Sequence, residues 1–334
     1  MNTKRIISLV ASLALVLSLS VGLTGCGDKA AQDDNQGSTD GEGTKYTVGI
    51  CQLVQHDALD AATQGFIDAL NEALPGQVEI VNKNASGDSA NCSTIVNGFV
   101  SDGVDLIMAN ATPALTAAAA ATSDIPILGT SITAYGVALD IDDFNGTVGG
   151  NISGTSDLAD LEAQANMITE WFPDAQKVGL LFCSAEPNSR YQIEEVAKYL
   201  SDKGIETQEF AFTDTNDVAS VTQSAADYSD VVYVPTDNTA ASNTEAIANV
   251  TVPAKTPVIA GEEGICKGCG VATLSISYYD LGMTTGKMAA KILTGEADIS
   301  EMPIEFTEAT PKYNASMCET LGIKPLEGYT AIEE

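Results

Sequence analysis

Positive charge is scarce in this chain: 15 Lys and Arg stand against 46 Asp and Glu, a formal net charge of −31. Nucleic acid and anionic membrane surfaces are therefore poor partners. There is one histidine, His56, and aromatic residues make up only 6% of the chain. A site built on several imidazoles is excluded, and stacking platforms for sugar rings are few. No Gly-x-Ser-x-Gly elbow is present, so His56 beside Asp57 lacks a nucleophile and catalysis is not expected. No GxxxxGK[ST] loop or GxGxxG fingerprint follows a strand-like segment, which removes support for nucleotide hydrolysis and dinucleotide redox chemistry. The seven cysteines are too sparse for a disulfide scaffold. Cys266 and Cys269 form a lone CxxC, with no second CxxC or His pair to complete a zinc site. A local disulfide, a redox pair and half of a metal site stay open for them. A feature of the glycine-rich stretch Gly261 to Gly270, which reads as a flexible loop, is favoured. No cofactor and no metal are expected.

What is present begins with an address. Lys4 and Arg5 precede an almost uninterrupted apolar run from Ile6 to Leu23, the pattern of an export signal. A run of this length would also span a bilayer. Leu23-Thr24-Gly25-Cys26 resembles the bacterial lipobox, however, so residues 1–25 read as a lipoprotein signal peptide and Cys26 as the lipid attachment site. Residues 26–44 hold no apolar residue larger than alanine after Cys26 and cannot offset their ordering entropy, so they read as a flexible tether. The protein is expected on the extracytoplasmic face of the cell membrane, held there by the lipid on Cys26.

From Lys45 onward, short Val/Ile/Leu runs alternate with amphipathic stretches, the pattern of βαβ units around a parallel sheet. The order then recurs. Val48-Gly49-Ile50 answers to Val178-Gly179-Leu180, and Val104-Asp105-Leu106-Ile107 to Ser229-Asp230-Val231-Val232. Ile125-Pro126-Ile127-Leu128 answers to Thr256-Pro257-Val258-Ile259, at a near-equal offset. The fold class is α/β, with two Rossmann-like lobes and a cleft between them. In such sheets ligands sit beyond the carboxyl ends of the strands, where strand order reverses.

Six loops are thereby directed at one cleft. They are Gln52–Ala58, Asn110–Ala114 and Gly129–Ala134 from the first lobe, and Cys183–Arg190, Pro235–Ala240 and Gly261–Ile265 from the second. Thr112 before Pro113 has the chemistry of an N-cap with proline behind it, and Ser189 and Asp237 also precede helical stretches. Helix starts and hydroxyls suit a carboxylate, while Asp237 or Glu262 would take an ammonium; together they would recognise a zwitterion. Each of Thr112, Ser189 and Asp237 also reads as a cap alone. His56 reads as a neutral wall of the pocket, with a surface or helix-start role close behind. Trp171 reads as core, and Tyr135, Tyr278 and Tyr279 are the ring-bearing candidates near the cleft.

Gln52-Leu53-Val54-Gln55-His56-Asp57-Ala58-Leu59-Asp60 with Gln64-Gly65-Phe66 resembles the opening signature of the ABC-transporter substrate-binding family that includes tryptophan and tyrosine receptors. The likeness continues through Asn84-Ala85-Ser86-Gly87-Asp88, Ala111-Thr112-Pro113-Ala114, Asn151 to Asp157, Tyr233 to Asn238 and Tyr279-Asp280-Leu281-Gly282. It implies a periplasmic-binding-protein type I fold with a multi-strand hinge. It also implies an ABC permease with its ATPase as partners, and an aromatic amino acid as the favoured small-molecule ligand. His56, Thr112, Asp157, Asn188, Asp237 and Tyr279 are the pocket positions it carries over. Where the family usually has Asp-Pro, this chain reads Ser131-Ile132-Thr133-Ala134-Tyr135, so ligand identity stays open on that side. The full set of expected ligand-binding residues is His56, Asp57, Thr112, Ser131, Thr133, Asp157, Asn188, Ser189, Asp237, Glu262 and Tyr279. The lobes are expected at 45–152 plus about 272–298 and at 153–271 plus about 299–334, in a monomer. A nucleoside or sugar receptor on this fold, or a sensory or adhesive surface lipoprotein, are the alternatives.

Overall fold

A computed structural model describes residues 45–333. The signal peptide, Cys26 and the tether expected at 1–44 lie outside the described residues. The first lobe runs β1 (Tyr46–Gln52), α1 (Asp57–Ala73), β2 (Val78–Asn84), α2 (Ser89–Asp102), β3 (Leu106–Asn110), α3 (Thr112–Ala121), β4 (Ile127–Ile132), a single turn α4 (Tyr135–Ala138) and β5 (Ile152–Ser156). The second continues with α5 (Leu161–Trp171), β6 (Lys177–Cys183), α6 (Pro187–Asp202), β7 (Glu206–Phe212), α7 (Val218–Tyr228), β8 (Val231–Val234), α8 (Asn238–Ala241), α9 (Thr244–Ala254), β9 (Val258–Ala260), α10 (Glu263–Cys269) and β10 (Ala272–Ser275). The chain then returns with α11 (Tyr278–Leu293), a short 3-10 turn and β11 (Glu305–Phe306). It ends in β12 (Thr310–Tyr313), α12 (Ala315–Leu321) and β13 (Thr330–Ala331).

The duplication read from the sequence is visible in the sheets. One sheet has the order β11-β5-β4-β3-β1-β2, and the other β13-β12-β10-β9-β8-β6-β7. Stripped of their late additions, both follow one doubly wound order, with the reversal beside β1 in one lobe and beside β6 in the other. Helices cover both faces, which is why the central strands are apolar throughout: every residue of β3 and of β8 is buried. Trp171 is buried in the second lobe's core and meets Tyr329 edge to face at 5.1 Å between ring centroids.

The chain passes between lobes at 157–160, 276–277 and 307–309. Each passage comes later than the expected boundaries near 152, 272 and 298. The reason is pairing: β5 and β11 add to the first sheet, whereas β10 adds to the second.

The returning helix α11 docks on α1 through glycines. A Cβ on Gly282 would lie 2.0 Å from the Ala62 carbonyl oxygen, and one on Gly65 would lie 2.1 Å from the Tyr279 carbonyl oxygen. No side chain can move to relieve a contact with backbone, so the helix axes themselves would have to part. Gly282→Ala is expected to destabilise the protein by about 3 kcal/mol, the upper range for overpacking, read as a lower midpoint in urea denaturation.

Candidate functional site

A narrow, nearly closed cavity of about 10 Å³ lies between the lobes, walled by His56, Leu59, Ser131, Thr133, Asp157, Asn188, Thr236, Asp237, Asn238, Ala241, Glu262 and Tyr278. Strand ends from both sheets aim these residues inward, at the carboxyl edges where this topology places ligands. Ser131 sits where the β4–β5 register shifts, and its φ of 55° is a left-handed conformation that a serine rarely adopts. That local strain turns its hydroxyl towards the cavity.

Three buried polar atoms on the cavity wall have no partner: Ser131 Oγ, Asp157 Oδ1 and Asn188 Oδ1. Buried polar groups are ordinarily hydrogen-bonded, so three orphans facing one space mark where a ligand's polar atoms belong. Asp157 is 5% exposed and accepts a 2.9 Å hydrogen bond from the Tyr278 hydroxyl on Oδ2, which leaves Oδ1 free. Burial pushes its carboxyl up to about 6, against the opposing effect of that hydroxyl.

The other two carboxyls on the wall are already engaged. Asp237 accepts from the Cys183 amide on Oδ2 at 2.6 Å and from the Ala240 amide on Oδ1 at 2.7 Å, the latter as the N-cap of α8. Burial, with the nearby Glu186 charge, pushes it up to about 8. Glu262 caps α10, accepting from the Gly264 amide at 2.7 Å and from the Ile265 amide, and burial raises it to about 7. Of the three, Asp157 is the carboxylate with an open acceptor for a cation. His56 faces the cavity too, and desolvation of its ring lowers its pKa. No Lys or Arg lines the space.

Seven of the expected residues therefore meet in the cavity: His56, Ser131, Thr133, Asp157, Asn188, Asp237 and Glu262. The remaining four do not line it. Asp57 is exposed at the start of α1 and borders grooves outside the cavity. Thr112 is buried as the first residue of α3 rather than its cap, that position being Ala111. Ser189 is buried inside the first turn of α6, behind Asn188, whose Nδ2 donates to its Oγ at 3.3 Å. Tyr279 is 41% exposed and donates to Asp68 Oδ2 at 2.9 Å, because the α1–α11 seam holds its backbone against Gly65 and turns the ring outward. Its neighbour Tyr278 takes the inward place.

Leu59, Thr236, Asn238, Ala241 and Tyr278 complete the wall; of these the sequence reading named Tyr278 alone, as one of three rings near the cleft, and did not count it among the binding residues. Thr236 and Asn238 stood in a loop read as cleft-facing, but neither was separable there from its neighbours. Gly261 to Gly270 is not a flexible loop: residues Glu263–Cys269 form α10, whose cap Glu262 satisfies its first amides. Cys266 and Cys269 on it are buried free thiols. Among the described residues no cluster of three or more His, Cys, Asp or Glu is placed to hold a metal ion.

Two similar lobes with a polar cavity between their strand ends define a cleft-type binding protein. A family model described as ABC transporter substrate binding protein matches residues 47–327, and the chain belongs to that family. Among its relatives is the tyrosine-binding protein of Clostridioides difficile (strain R20291), 33% identical over 319 residues, covering 92% of this chain and 89% of the relative. The ABC domain from Streptococcus pneumoniae in complex with L-Trp is 30% identical, with a TM-score of 0.82 over 86% of this chain and all (100%) of that one. The ligand-free, open structure of a substrate binding protein with adhesive properties from Clostridium difficile is 34% identical over 86% of this chain and 99% of that one, with a TM-score of 0.66. These relatives are binding proteins, not enzymes.

Proposed function

We propose that this protein is the extracytoplasmic receptor of an ABC importer, lipid-anchored through Cys26, that captures an aromatic amino acid by closing its lobes on it. The observation that carries this reading is the set of orphaned atoms Asp157 Oδ1, Asn188 Oδ1 and Ser131 Oγ in one interlobe cavity. The two acceptors suit an ammonium, and the hydroxyls of Ser131, Thr133 and Thr236 suit a carboxylate. Leu59, Ala241 and the rings of His56 and Tyr278 supply apolar wall for a side chain.

Closure follows from burial: Asp157, Asn188 and Asp237 are 5%, 4% and 1% exposed, so a solute reaches them only when the lobes part. A ligand that bridges both lobes binds the closed form better and shifts the equilibrium towards it. The likeness to the L-Trp complex (TM-score 0.82) exceeds that to the open, ligand-free relative (0.66) at similar identity, which supports assigning this conformation to the closed state.

The test is a thermal-shift screen followed by calorimetry on L-tryptophan, L-tyrosine and L-phenylalanine beside nucleosides and sugars. Micromolar or tighter binding of an aromatic amino acid, with a melting temperature that rises with its concentration, is expected. Binding of a nucleoside or sugar alone would replace this reading. The adhesive relative favours a second role at the cell surface; it is tested by comparing host-cell attachment of cells with and without the protein.

A further inference from the structure

Glu186 is 4% exposed, stands at the start of α6 and does not line the ligand cavity. Its Oε1 accepts from the Thr239 amide at 2.9 Å and the Thr239 hydroxyl at 2.8 Å. Its Oε2 accepts from the Asn238 amide at 3.0 Å and from Asn238 Nδ2 at 2.7 Å. A carboxylate can only accept, so it dictates which end of the Asn238 side-chain amide faces it: the NH₂ end. Oδ1 of Asn238 is thereby turned the other way, across the cleft, where it lies 3.3 Å from His56 Nε2 of the first lobe. Since that oxygen is an acceptor, the bond requires a proton on Nε2, which leaves Nδ1 of a neutral ring as an acceptor.

We propose that Glu186 is a positioning residue that orients Asn238 to latch onto His56, so that a buried carboxylate outside the ligand cavity sets how long the lobes stay shut. The latch rests on the binding reading above only for its consequence, slower ligand release; the His56–Asn238 contact itself joins the lobes in this structure. A glutamine at 186 would present a donor to a site where every neighbour donates. The Asn238 amide would then lose its fixed sense and the cross-lobe bond its acceptor.

The test is a double-mutant cycle on the full-length protein in detergent, using release of radiolabelled L-tyrosine and, separately, hydrogen exchange of residues 56–60 and 236–241 without ligand. Glu186→Gln is expected to speed release roughly five- to tenfold, the range one hydrogen bond supports, and to raise exchange in both segments. In a His56→Ala background its effect on release is expected to shrink to the small part carried by Asn188, whose Nδ2 also donates to Glu186 Oε2 at 3.4 Å, so that the two substitutions are clearly non-additive. Additive effects in the two backgrounds would mean that Glu186 only supports α8, and would overturn the latch. If Glu186→Gln does not fold, Asn238→Ala with and without His56→Ala puts the same coupling to the test: non-additivity upholds it and additivity overturns it. Should the wild type not retain L-tyrosine, the binding reading fails. The exchange data then decide alone, with faster exchange at 56–60 in Glu186→Gln supporting the latch and unchanged exchange overturning it.

Discussion

Replacing Asp157 by asparagine is expected to weaken aromatic amino-acid binding by about 100-fold or more, on the scale of 2–5 kcal/mol for removing one partner of a buried charge pair. The substitution keeps size and shape, so the cavity survives; what goes is the negative charge at Oδ1, the free acceptor facing the ligand. The unliganded variant is expected to be slightly more stable than the wild type, because it no longer buries a carboxyl that desolvation pushes up to about 6. A merely structural aspartate would behave in the opposite way, losing stability and leaving the ligand's thermal shift intact. Calorimetry and melting curves on the same two samples separate the outcomes.

The second large effect is on pH dependence. Asp157, Glu262 and Asp237 are raised to about 6, 7 and 8, each chiefly by burial. In the unfolded chain such groups ionise near pH 4. Between pH 4 and those raised values the native protein holds protons that the unfolded chain has released, so its stability falls as pH rises through that window. His56 opposes this, since its lowered pKa makes the unfolded chain the better proton binder, but it is one group against three. Self-repulsion from a net charge of −31 acts in the same direction as the carboxyls. The unliganded protein is therefore expected to melt on the order of 5 °C higher at pH 5.5 than at pH 8.5, several kcal/mol spread over a chain of this size. Ligand affinity is expected to run the other way, weakening as pH falls through about 6, because a protonated Asp157 no longer pairs with an ammonium. Melting curves across that range, with and without L-tryptophan, check both slopes. A melting temperature that climbs with pH in the absence of ligand would contradict the burial of these carboxyls.

The architecture was legible because repetition is a long-range signal. Val48-Gly49-Ile50 and Val178-Gly179-Leu180 stand in β1 and β6, which hold equivalent places in their sheets. Five of the six expected loops reach the cavity; the loop after β3 does not, since its Thr112 packs into the start of α3. Individual side chains were harder. Tyr278 and Tyr279 are adjacent, and only the glycine seam between α1 and α11 decides which of them turns inward. The glycines of the 261–270 stretch were read as freedom and serve closeness instead: a Cβ on Gly261 would come within 2.5 Å of the Thr236 amide nitrogen, and one on Gly268 within 2.2 Å of Thr244 Oγ1. Asp237 and Glu262 were read as ammonium partners, Asp237 also as a cap, and the carboxylate oxygens of both prove to hold helix amides. Which acid keeps a free oxygen depends on where neighbouring backbone points, a property of the assembled fold and not of any local pattern.

If a zwitterion is held between the lobes with its ammonium on Asp157, a crystal structure of the protein grown with L-tryptophan will show the ligand nitrogen within about 3.2 Å of Asp157 Oδ1, the limit for such a hydrogen bond, with Asn188 and Ser131 also engaged. A ligand seated elsewhere, or with its ammonium on Asp237 or Glu262 while Asp157 Oδ1 stays unpaired, would contradict it.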